Sequence, residues 1–466
     1  MRAPSPARPA FALAAALLTA SLPLPSAAAS DSAALAAQVQ ALAQRVERLE
    51  TQNAELRAAL GSERISDAEP ELATRLKAVE AQQQALQGPA SKLVEAFEGV
   101  GVEGSLTAMA QRAPRSALAD PASGRSRANY RGDVAVTLPG GTAGAGTGTV
   151  YLHARFGQGE GLALRPTYTG TANSTTFAGS DPDGTQFTLA QAWYQWATPF
   201  GQDGGHKAVL TVGKIDPFGF FDQNAIADDE TRHFANNVFV HNPLLDSGGD
   251  VGADRFGFAP GAIAAYENPG DKALPWGASL GVFGSGNGAN FSASSGKPFV
   301  IAQAWVAPRP NALPGTYRVY AWSNARAQDF DGRVARHGGV GLSIDQRVSD
   351  NLTLFGRYGH QTSGRVRFAD ALTVGGELDG SPWGRGADGL GLALAWLRTS
   401  GRFAAASAAA AGYVAHGAER IGELYYRMHL NPHVELTPSV QYIARPAADP
   451  GAKGIALLGL RARVGF

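Results

Sequence analysis

The stretch that decides the fold is the last one, residues 455–466, which reads IALLGLRARVGF. Counting back in twos from Phe466 gives only apolar residues, whereas the alternate positions carry Arg461 and Arg463 between two glycines. Strict alternation predicts a β-strand whose two faces meet different surroundings. In a soluble sheet the apolar face would be the core, and in a transmembrane barrel it would contact lipid. The rest of the chain decides between the two.

Composition excludes several classes of protein. The 466 residues include 40 basic and 40 acidic side chains, so no net attraction to nucleic acid is expected. There is no cysteine, so a disulfide framework or a thiolate metal site cannot form. The absence of cysteine is compatible with an oxidising envelope compartment.

The N-terminus has the features of an export signal. Arg2 and Arg8 supply positive charge, residues 11–22 are apolar, and residues 27–29 offer an Ala-x-Ala cleavage site. We therefore interpret residues 1–29 as a signal peptide. No later stretch reaches the roughly 20 apolar residues that a spanning helix needs. A membrane location would therefore require a closed β-barrel, which satisfies every backbone group without helices.

Residues 30–88 predict a periplasmic α-helical coiled coil. Apolar residues recur with a seven-residue period over about four heptads, broken once by Asn53 at an a position. The a positions are Val39, Val46, Asn53 and Leu60, and the d positions are Leu35, Leu42, Leu49 and Leu56. The alternative is a single amphipathic helix packed on a globular domain. Valine at a with leucine at d favours two strands, whereas barrels in this setting are often trimers, and we favour a homotrimer.

From about residue 100 onward the helical period gives way to short alternating runs separated by turn residues. About sixteen strands are predicted, an even number typical of an antiparallel outer-membrane barrel. They are 105–112, 128–138, 149–157, 188–200, 208–215, 255–266, 276–284, 299–307, 316–325, 339–348, 351–358, 389–398, 402–414, 419–430, 434–443 and 455–466. The predicted fold is thus all-β: a transmembrane barrel over residues 100–466, preceded by the coiled coil.

Charged side chains recur on one face of several strands. Arg318, Arg357, Glu423 and Arg427 each oppose apolar neighbours, so that face is assigned to a water-filled lumen and the apolar face to lipid. For any single arginine the alternative is a solvated surface residue. The aromatic residues near strand ends that would form the interfacial girdles are Trp193, Tyr194, Trp196, Tyr425, Tyr426 and Tyr442.

No catalytic or cofactor-binding pattern is evident. The nine histidines have no paired metal-ligand spacing. Residues 277–281 read GASLG, but a nucleophile elbow requires a strand-to-helix turn, and this match lies within a predicted strand. Residues 180–184, SDPDG, lack the acidic residue that closes a calcium loop and are read as a turn. We predict no enzymatic activity, no cofactor and no metal.

The connection from residue 213 to 246 is too long to be idle and carries the candidate binding residues. It mixes phenylalanines with amides, carboxylates and guanidinium groups, which suit a polyhydroxylated solute: rings stack on apolar faces and planar groups bond hydroxyls. Its candidate site residues are Asp222, Asn224, Asp228, Glu230 and Arg232. Residues 228–236 predict a short helix with acids at its start. The alternative is an extracellular loop that packs on itself.

These segments together resemble the carbohydrate-selective porins of the OprB type over about residues 100–466. The resemblance lies in 213–216 with the loop FFDQNAIADDETRHFANNVF, 317–322, 345–346 with 355–359, ELYYR at 423–427, LTPSVQYIARP at 436–446 and the closing LGLRARVGF. It implies a sixteen-stranded outer-membrane barrel through which glucose and related sugars diffuse. It also implies that Phe466 is read by the barrel-assembly machinery. The long heptad region is a departure from that family.

The combined prediction is a passive sugar porin surrounded by outer-membrane lipid. Its pore would be lined by Asp222, Asn224, Asp228, Glu230, Arg232, Arg318, Arg357, Glu423, Arg427, Arg461 and Arg463. The alternatives are a general non-selective porin and an envelope tether whose coiled coil contacts peptidoglycan.

Deleting residues 30–90 distinguishes a porin from a tether. If the barrel is a porin, the deletion variant keeps its single-channel conductance in a planar bilayer, because the pore lies after residue 100. Loss of envelope integrity with an otherwise intact pore would favour the tether.

Overall fold

The computed structural model describes residues 51, 99–176, 184–201, 205–254, 256–268, 274–285 and 296–466. Apart from Thr51, the predicted signal peptide (1–29) and coiled coil (30–88) lie outside the described residues and stay predictions.

Residues 99–466 form a compact unit built on a closed antiparallel barrel of sixteen strands, in which each strand pairs with its neighbours in sequence and β1 pairs with β16. The strands are β1 Gly101–Arg112, β2 Ser126–Ala143, β3 Gly146–Gln158, β4 Gln186–Phe200, β5 His206–Ile215, β6 Ala259–Asn268, β7 Trp276–Phe283, β8 Phe299–Val306, β9 Gly315–Gln328, β10 Val334–Arg347, β11 Leu352–Ser363, β12 Phe368–Gly380, β13 Arg385–Thr399, β14 Ala418–Asn431, β15 Val434–Ala444 and β16 Ile455–Gly465. The α-helices among the described residues from 99 onward are α1, Asn237–Val240, and α2, Gly401–Ala411.

The predicted number of strands is confirmed, but two of the predictions were wrong and their errors cancel. Strand β12 was missed because its glycines and acids interrupt the apolar alternation. The predicted strand 402–414 is instead helix α2, an alanine-rich segment. Ser400 caps the helix by accepting a hydrogen bond from Phe403 N at 3.0 Å, and Gly412 ends it in the left-handed conformation.

The assignment of the two faces is confirmed. On β16 the side chains of Leu458 and Val464 are exposed on the outer wall, whereas Arg461 is buried inside. On β14 Leu424 lies outside and Glu423 inside in the same way. Because an exposed apolar wall of this extent needs lipid around it, the barrel spans a membrane.

The aromatic residues divide between the two faces. Tyr194 and Tyr442 are exposed on the outer wall, as predicted. Tyr425 is buried in the interior and donates a hydrogen bond to Glu377, and Trp193 stacks on Tyr151, so a girdle position was wrong for both. The strand period places them inward, next to the charged residues of the same strands.

The two ends of the barrel differ in the length of their connections. The short turns of residues 144–145, 348–351 and 432–433 lie at the end of the barrel where β16 ends. Longer connections, including 159–185 and 216–258, lie at the other end. Short turns mark the periplasmic end and long loops the extracellular end of such barrels. Among the described residues, the helices are too short or too polar to cross a membrane.

A charge on the outer wall tests which surface faces lipid. Leu424→Arg near the middle of β14 should destabilise the barrel by about 2–4 kcal/mol, because a guanidinium at mid-depth loses its hydration. Leu430→Arg near the periplasmic end of the same face is the matched control and should cost about 0–1 kcal/mol. Urea titration of protein refolded into liposomes measures both. Equal costs would contradict a lipid-facing wall.

Candidate functional site

The connection from β5 to β6, described over residues 216–254 and 256–258, folds into the barrel and is here termed the constriction loop. Several of its apolar side chains form the core of the interior. Phe221, Phe234 and Phe239 are each at most 1% exposed. Phe234 contacts Tyr425 of the wall at a ring distance of 4.9 Å and Phe355 at 5.7 Å. The loop is therefore packed against the wall as part of the fold.

One buried ion pair fixes the first half of the loop. The Arg357 Nε donates to Asp222 Oδ1 at 2.8 Å, and both side chains are 0% exposed. The same guanidinium donates to the backbone carbonyls of Asp222, Ala227 and Phe239, each at 3.0 Å. Tyr320 OH donates to the same carboxylate oxygen at 2.6 Å. The pair thus satisfies loop backbone groups that have no water to bond.

Asn224 holds the loop beside that pair. Its side-chain amide donates to Ile344 O at 3.2 Å and to Ser343 Oγ at 3.3 Å. Both partners lie on β10, so the loop is fastened to a further strand of the wall.

A second carboxylate on the wall holds the middle of the loop. Glu423 accepts hydrogen bonds from the backbone N–H groups of Ala235 and Asn236 at 2.8 and 3.0 Å. Asn236 in turn caps α1 by accepting from Val238 N at 3.2 Å. The helix predicted over residues 228–236 was wrong: those residues form turns, and the helix begins at Asn237.

Arginines of the wall hold the acidic part of the loop. Arg461 donates to the carbonyls of Glu230 and Arg232 at 2.8 and 2.6 Å. The Glu230 side chain reaches Arg131 at 2.6 Å, and the Arg232 side chain reaches Glu435 at 2.8 Å.

The last part of the loop is fixed by Asp250. Its carboxylate accepts from Trp322 Nε1 at 2.9 Å and Gln361 Nε2 at 2.7 Å, and it contacts His337 Nδ1 at 2.6 Å. His337 also contacts Asp329 at 2.9 Å. All of these partners lie on β9 to β11 or at their ends.

The anchors leave open space on one side of the lumen. Between the constriction loop and strands β1 to β3 lies a cavity of about 1100 Å³. On the wall it is lined by Arg131, Asp133, Tyr151, His153 and Arg155, and on the loop by Asp216, Phe218, Asp228, Glu230, His241 and Phe258. The open space therefore lies mainly against the N-terminal strands, and Arg326 of β9 and Arg463 of β16 also line it.

The wall of this cavity carries a charge ladder. Asp133 accepts from Arg131 Nε at 2.9 Å and from Arg155 Nε at 2.7 Å, and His153 Nε2 lies 2.9 Å from the same carboxylate. The register of β2 with β3 places Asp133 opposite Arg155, so the groups share the inner face. They present planar hydrogen-bonding groups to the cavity at fixed positions.

Aromatic rings lie beside the ladder. Tyr151 stacks on Trp193 with ring centres 4.7 Å apart, and Phe218 of the loop stacks on His241 at 3.8 Å. The Arg155 guanidinium lies 5.1 Å from the centre of the Phe258 ring. The cavity thus combines apolar ring faces with charged planar groups.

Two titratable groups of the loop face the cavity. Burial raises the pKa of Asp228 to about 8, although the positive charge of His241, with Oδ1 to Nε2 at 3.9 Å, opposes the rise. Burial alone would lower the pKa of His241, but its hydrogen bond to Asp246 at 3.1 Å and the neighbouring carboxylates outweigh this and raise the pKa to about 9. Both charges therefore change between pH 7 and 10.

The predicted site residues occupy two kinds of position. Asp228, Glu230 and Arg463 line the cavity. Asp222, Asn224, Arg357, Glu423 and Arg461 join the loop to the wall by the contacts above. Arg318, Arg427 and Arg232 pair with Asp345, Glu377 and Glu435 at 2.8, 2.7 and 2.8 Å. A part in solute passage stays a prediction for each residue.

Sequence reasoning missed the ladder on β2 and β3. Its signal was present: Arg131 and Asp133 are two residues apart, as are His153 and Arg155, which is the strand period. Nothing in the sequence gave the register that joins the two pairs. The described residues contain no group of three or more side chains suited to holding a metal ion.

A closed transmembrane barrel whose lumen is narrowed by a folded-in loop is the architecture of an outer-membrane porin. The sequence pattern that defines the carbohydrate-selective porin, OprB family, matches residues 137–466, and the chain belongs to that family. It is accordingly a carbohydrate-selective porin of the bacterial outer membrane. No curated protein matches the chain at the level of sequence.

A solved structure with a TM-score above 0.5 shares the fold. The structure described as the high pH structure of Pseudomonas putida OprB is 15% identical, with a TM-score of 0.63, and the match covers 82% of this chain and 97% of that one. A triple mutant of Rhodopseudomonas blastica porin is 12% identical, with a TM-score of 0.46, over 79% and 100% of the two chains.

Removing the central guanidinium tests the anchor. Arg357→Leu should destabilise the barrel by about 3–5 kcal/mol, because Asp222 is left buried without its charge partner. The released loop should also make the single-channel current noisier. Arg333→Leu is the control, since its side chain is 77% exposed and lies 3.9 Å from Asp331. Urea titration and bilayer recordings measure both; an equal effect of the two substitutions would contradict the anchor.

Proposed function

We propose that glucose-like sugars cross the outer membrane by passive, weakly selective diffusion through the cavity between the constriction loop and strands β1 to β3. The observation that carries the proposal is the pairing of ring faces with a charge ladder across that cavity. Apolar C–H faces of a sugar pack on Tyr151 and Phe218, and its hydroxyls bond to Asp133, Arg155 and Glu230.

The contacts must be replaceable for transport to occur. A sugar gives up part of its hydration on entering and regains hydrogen bonds from the ladder, so entry has a low barrier. Because the ladder residues also bond one another, each can return to its own partner when the sugar leaves. Weak binding at several positions then permits a net flux without blocking the pore.

The pore-lining residues proposed here differ in role. Asp228, Glu230 and Arg463 contact solute directly, whereas Asp222, Asn224, Arg357, Glu423 and Arg461 set the width of the passage by holding the loop. Arg232, Arg318 and Arg427 pair with carboxylates and contribute to the electrostatic potential inside the pore. The alternatives to a sugar porin are a general non-selective porin and an envelope tether.

Assembly and partners complete the proposal. The barrel-assembly machinery recognises the exposed terminal Phe466, and the chain forms a homotrimer in the outer membrane. In the alternative of an envelope tether, the coiled coil of residues 30–88 contacts peptidoglycan. The protein has no enzymatic activity of its own, in keeping with the position of Ser279 in the interior of extended strand β7.

Sugar block of the current tests the binding surface. Tyr151→Ala should raise the glucose concentration for half-block about two- to tenfold, because an aromatic contact is worth about 0.5–1.5 kcal/mol. Tyr194→Ala, on the outer face of the neighbouring strand, is the matched control and should leave the concentration unchanged. If both variants behave like the unaltered protein, sugar does not pass over Tyr151.

Ion selectivity gives an independent test. The carboxylates that line the cavity (Glu103, Asp133, Asp216, Asp228, Asp229, Glu230, Asp246 and Asp254) outnumber its arginines (Arg131, Arg155, Arg326 and Arg463). The pore should therefore prefer cations. Between pH 7 and 10 Asp228 gains a negative charge and His241 loses a positive one, so the cation preference should rise.

Reversal potentials in a salt gradient measure this rise. Asp228→Asn should remove the part of the rise that is centred near pH 8. It should also move the His241 part below pH 9, because the Asp228 carboxylate is one of the groups that raise the pKa of His241. A selectivity that does not change over this range would contradict the assignment of these two groups to the pore.

A further inference from the structure

The outer wall carries a row of charged side chains at the extracellular end of β11 to β14. Register places His360 opposite Asp370, Asp370 opposite Arg398, and Trp396 opposite Arg420. Paired residues of antiparallel strands point to the same side of the sheet. The neighbouring pair, Leu397 and Glu419, is buried inside, so this row faces outward.

One carboxylate organises the row. Asp370 accepts from Tyr358 OH at 2.7 Å and from Arg398 Nε at 2.9 Å, and His360 Nδ1 lies 2.8 Å away. Although bonded to Asp370, the Arg398 side chain is 68% exposed, and that of His360 is 44% exposed. The contacts hold these groups at a fixed place while leaving them open to the surroundings.

Two further arginines extend the row. Arg420 is the third residue of β14 and Arg445 directly follows β15, and both are exposed. The Arg445 Nη1 lies 3.3 Å from the position that a Gly417 Cβ would take, which places it beside the start of β14. In the part of the chain that the structure describes, neither arginine has a carboxylate oxygen within 4.0 Å. Their charges are therefore available to an external anion.

The depth of the row is fixed by its surroundings. Directly toward the periplasm the same strands expose Leu372, Leu394 and Leu424, the lipid-facing band. Directly toward the outside, the exposed Arg402 follows in the connection from β13 to β14. The row thus stands where hydrocarbon gives way to lipid headgroups. We term Arg398, Arg402, Arg420 and Arg445 with His360 the rim patch.

We propose that the rim patch binds the phosphate groups of an anionic glycolipid of the outer leaflet. A guanidinium group presents paired N–H donors that match phosphate oxygens, and such charge-assisted hydrogen bonds are among the strongest available. Basic clusters at membrane surfaces attract anionic headgroups in the same way. Tyr358 and Trp396, on the outward face beside the arginines, have the amphipathic rings that suit the membrane boundary.

The patch is separate from the solute route. The sheet lies between them, and none of its arginines lines the cavity. The charge of the patch also differs from that of the pore: the rim patch carries four arginines, of which Arg398 bonds Asp370, whereas carboxylates predominate in the cavity. Lipid binding is therefore expected to act on placement and stability of the barrel in its membrane, not on sugar selection.

Binding of diphosphorylated lipid A to the purified full chain in detergent tests the proposal by native mass spectrometry. The double variant Arg398→Gln/Arg420→Gln should bind it about tenfold more weakly. Arg347→Gln, an exposed arginine at the periplasmic end, is the control with unchanged binding expected. Lipid A without phosphates should bind both proteins equally weakly, and inorganic phosphate alone should not compete at millimolar concentration.

Equal binding of lipid A by the double variant and the unaltered protein would overturn the proposal. So would equal affinity for the forms with and without phosphates. Strong competition by inorganic phosphate would replace the lipid with a free-anion site. Block of the current by glucose in the double variant confirms that the barrel is folded, and it separates a failure here from a failure of the sugar pathway.

Discussion

The interior depends on the contact between Asp222 of the constriction loop and Arg357 of the wall. A loop inside a barrel carries backbone groups into a space where little water can reach them, and each unpaired group would cost free energy. Arg357 avoids part of this cost by forming one ion pair with Asp222 and donating three hydrogen bonds to loop carbonyls. Farther along the loop, Glu423 accepts hydrogen bonds from backbone N–H groups, and Arg461 donates hydrogen bonds to backbone carbonyls. The charges inside this barrel are thus first of all the means by which a loop becomes part of a fold.

That use of charge determines where a solute can pass. The anchors stand mainly on β9 to β16, so the loop lies against that side and the open cavity lies mainly against β1 to β3. Asp133, His153 and Arg155 of the ladder line this cavity, and Arg131 bonds both Asp133 and Glu230 of the loop. Sugar selection is therefore expected at β2 and β3. Their charged side chains bond mainly to one another, and a sugar hydroxyl can replace one of these partners.

The sequence predicted the features that depend on the two-residue strand period. It did not predict the features that depend on contacts between distant segments. Alternation in β14 and β16 assigned lumen and lipid correctly, because a strand period of two needs no tertiary information. It missed β12, whose glycines remove the signal, and it read the alanines of α2 as a strand although Ser400 and Gly412 mark its caps. It also named Arg357 and Glu423 as pore residues. Their inward direction was readable, but the loop that covers them becomes visible only when both are placed in space.

The chain has no cysteine, so single cysteines can report which side of the lumen conducts. We would measure the bilayer current while adding a charged methanethiosulfonate reagent to Ala135→Cys, on the cavity wall, and to Thr373→Cys, beside Arg357 on the covered wall. We expect a stepwise loss of current for Ala135→Cys, slowed by glucose, and no change for Thr373→Cys. Modification of Thr373→Cys with Ala135→Cys unaffected would place the pathway on the other side of the loop and contradict the account.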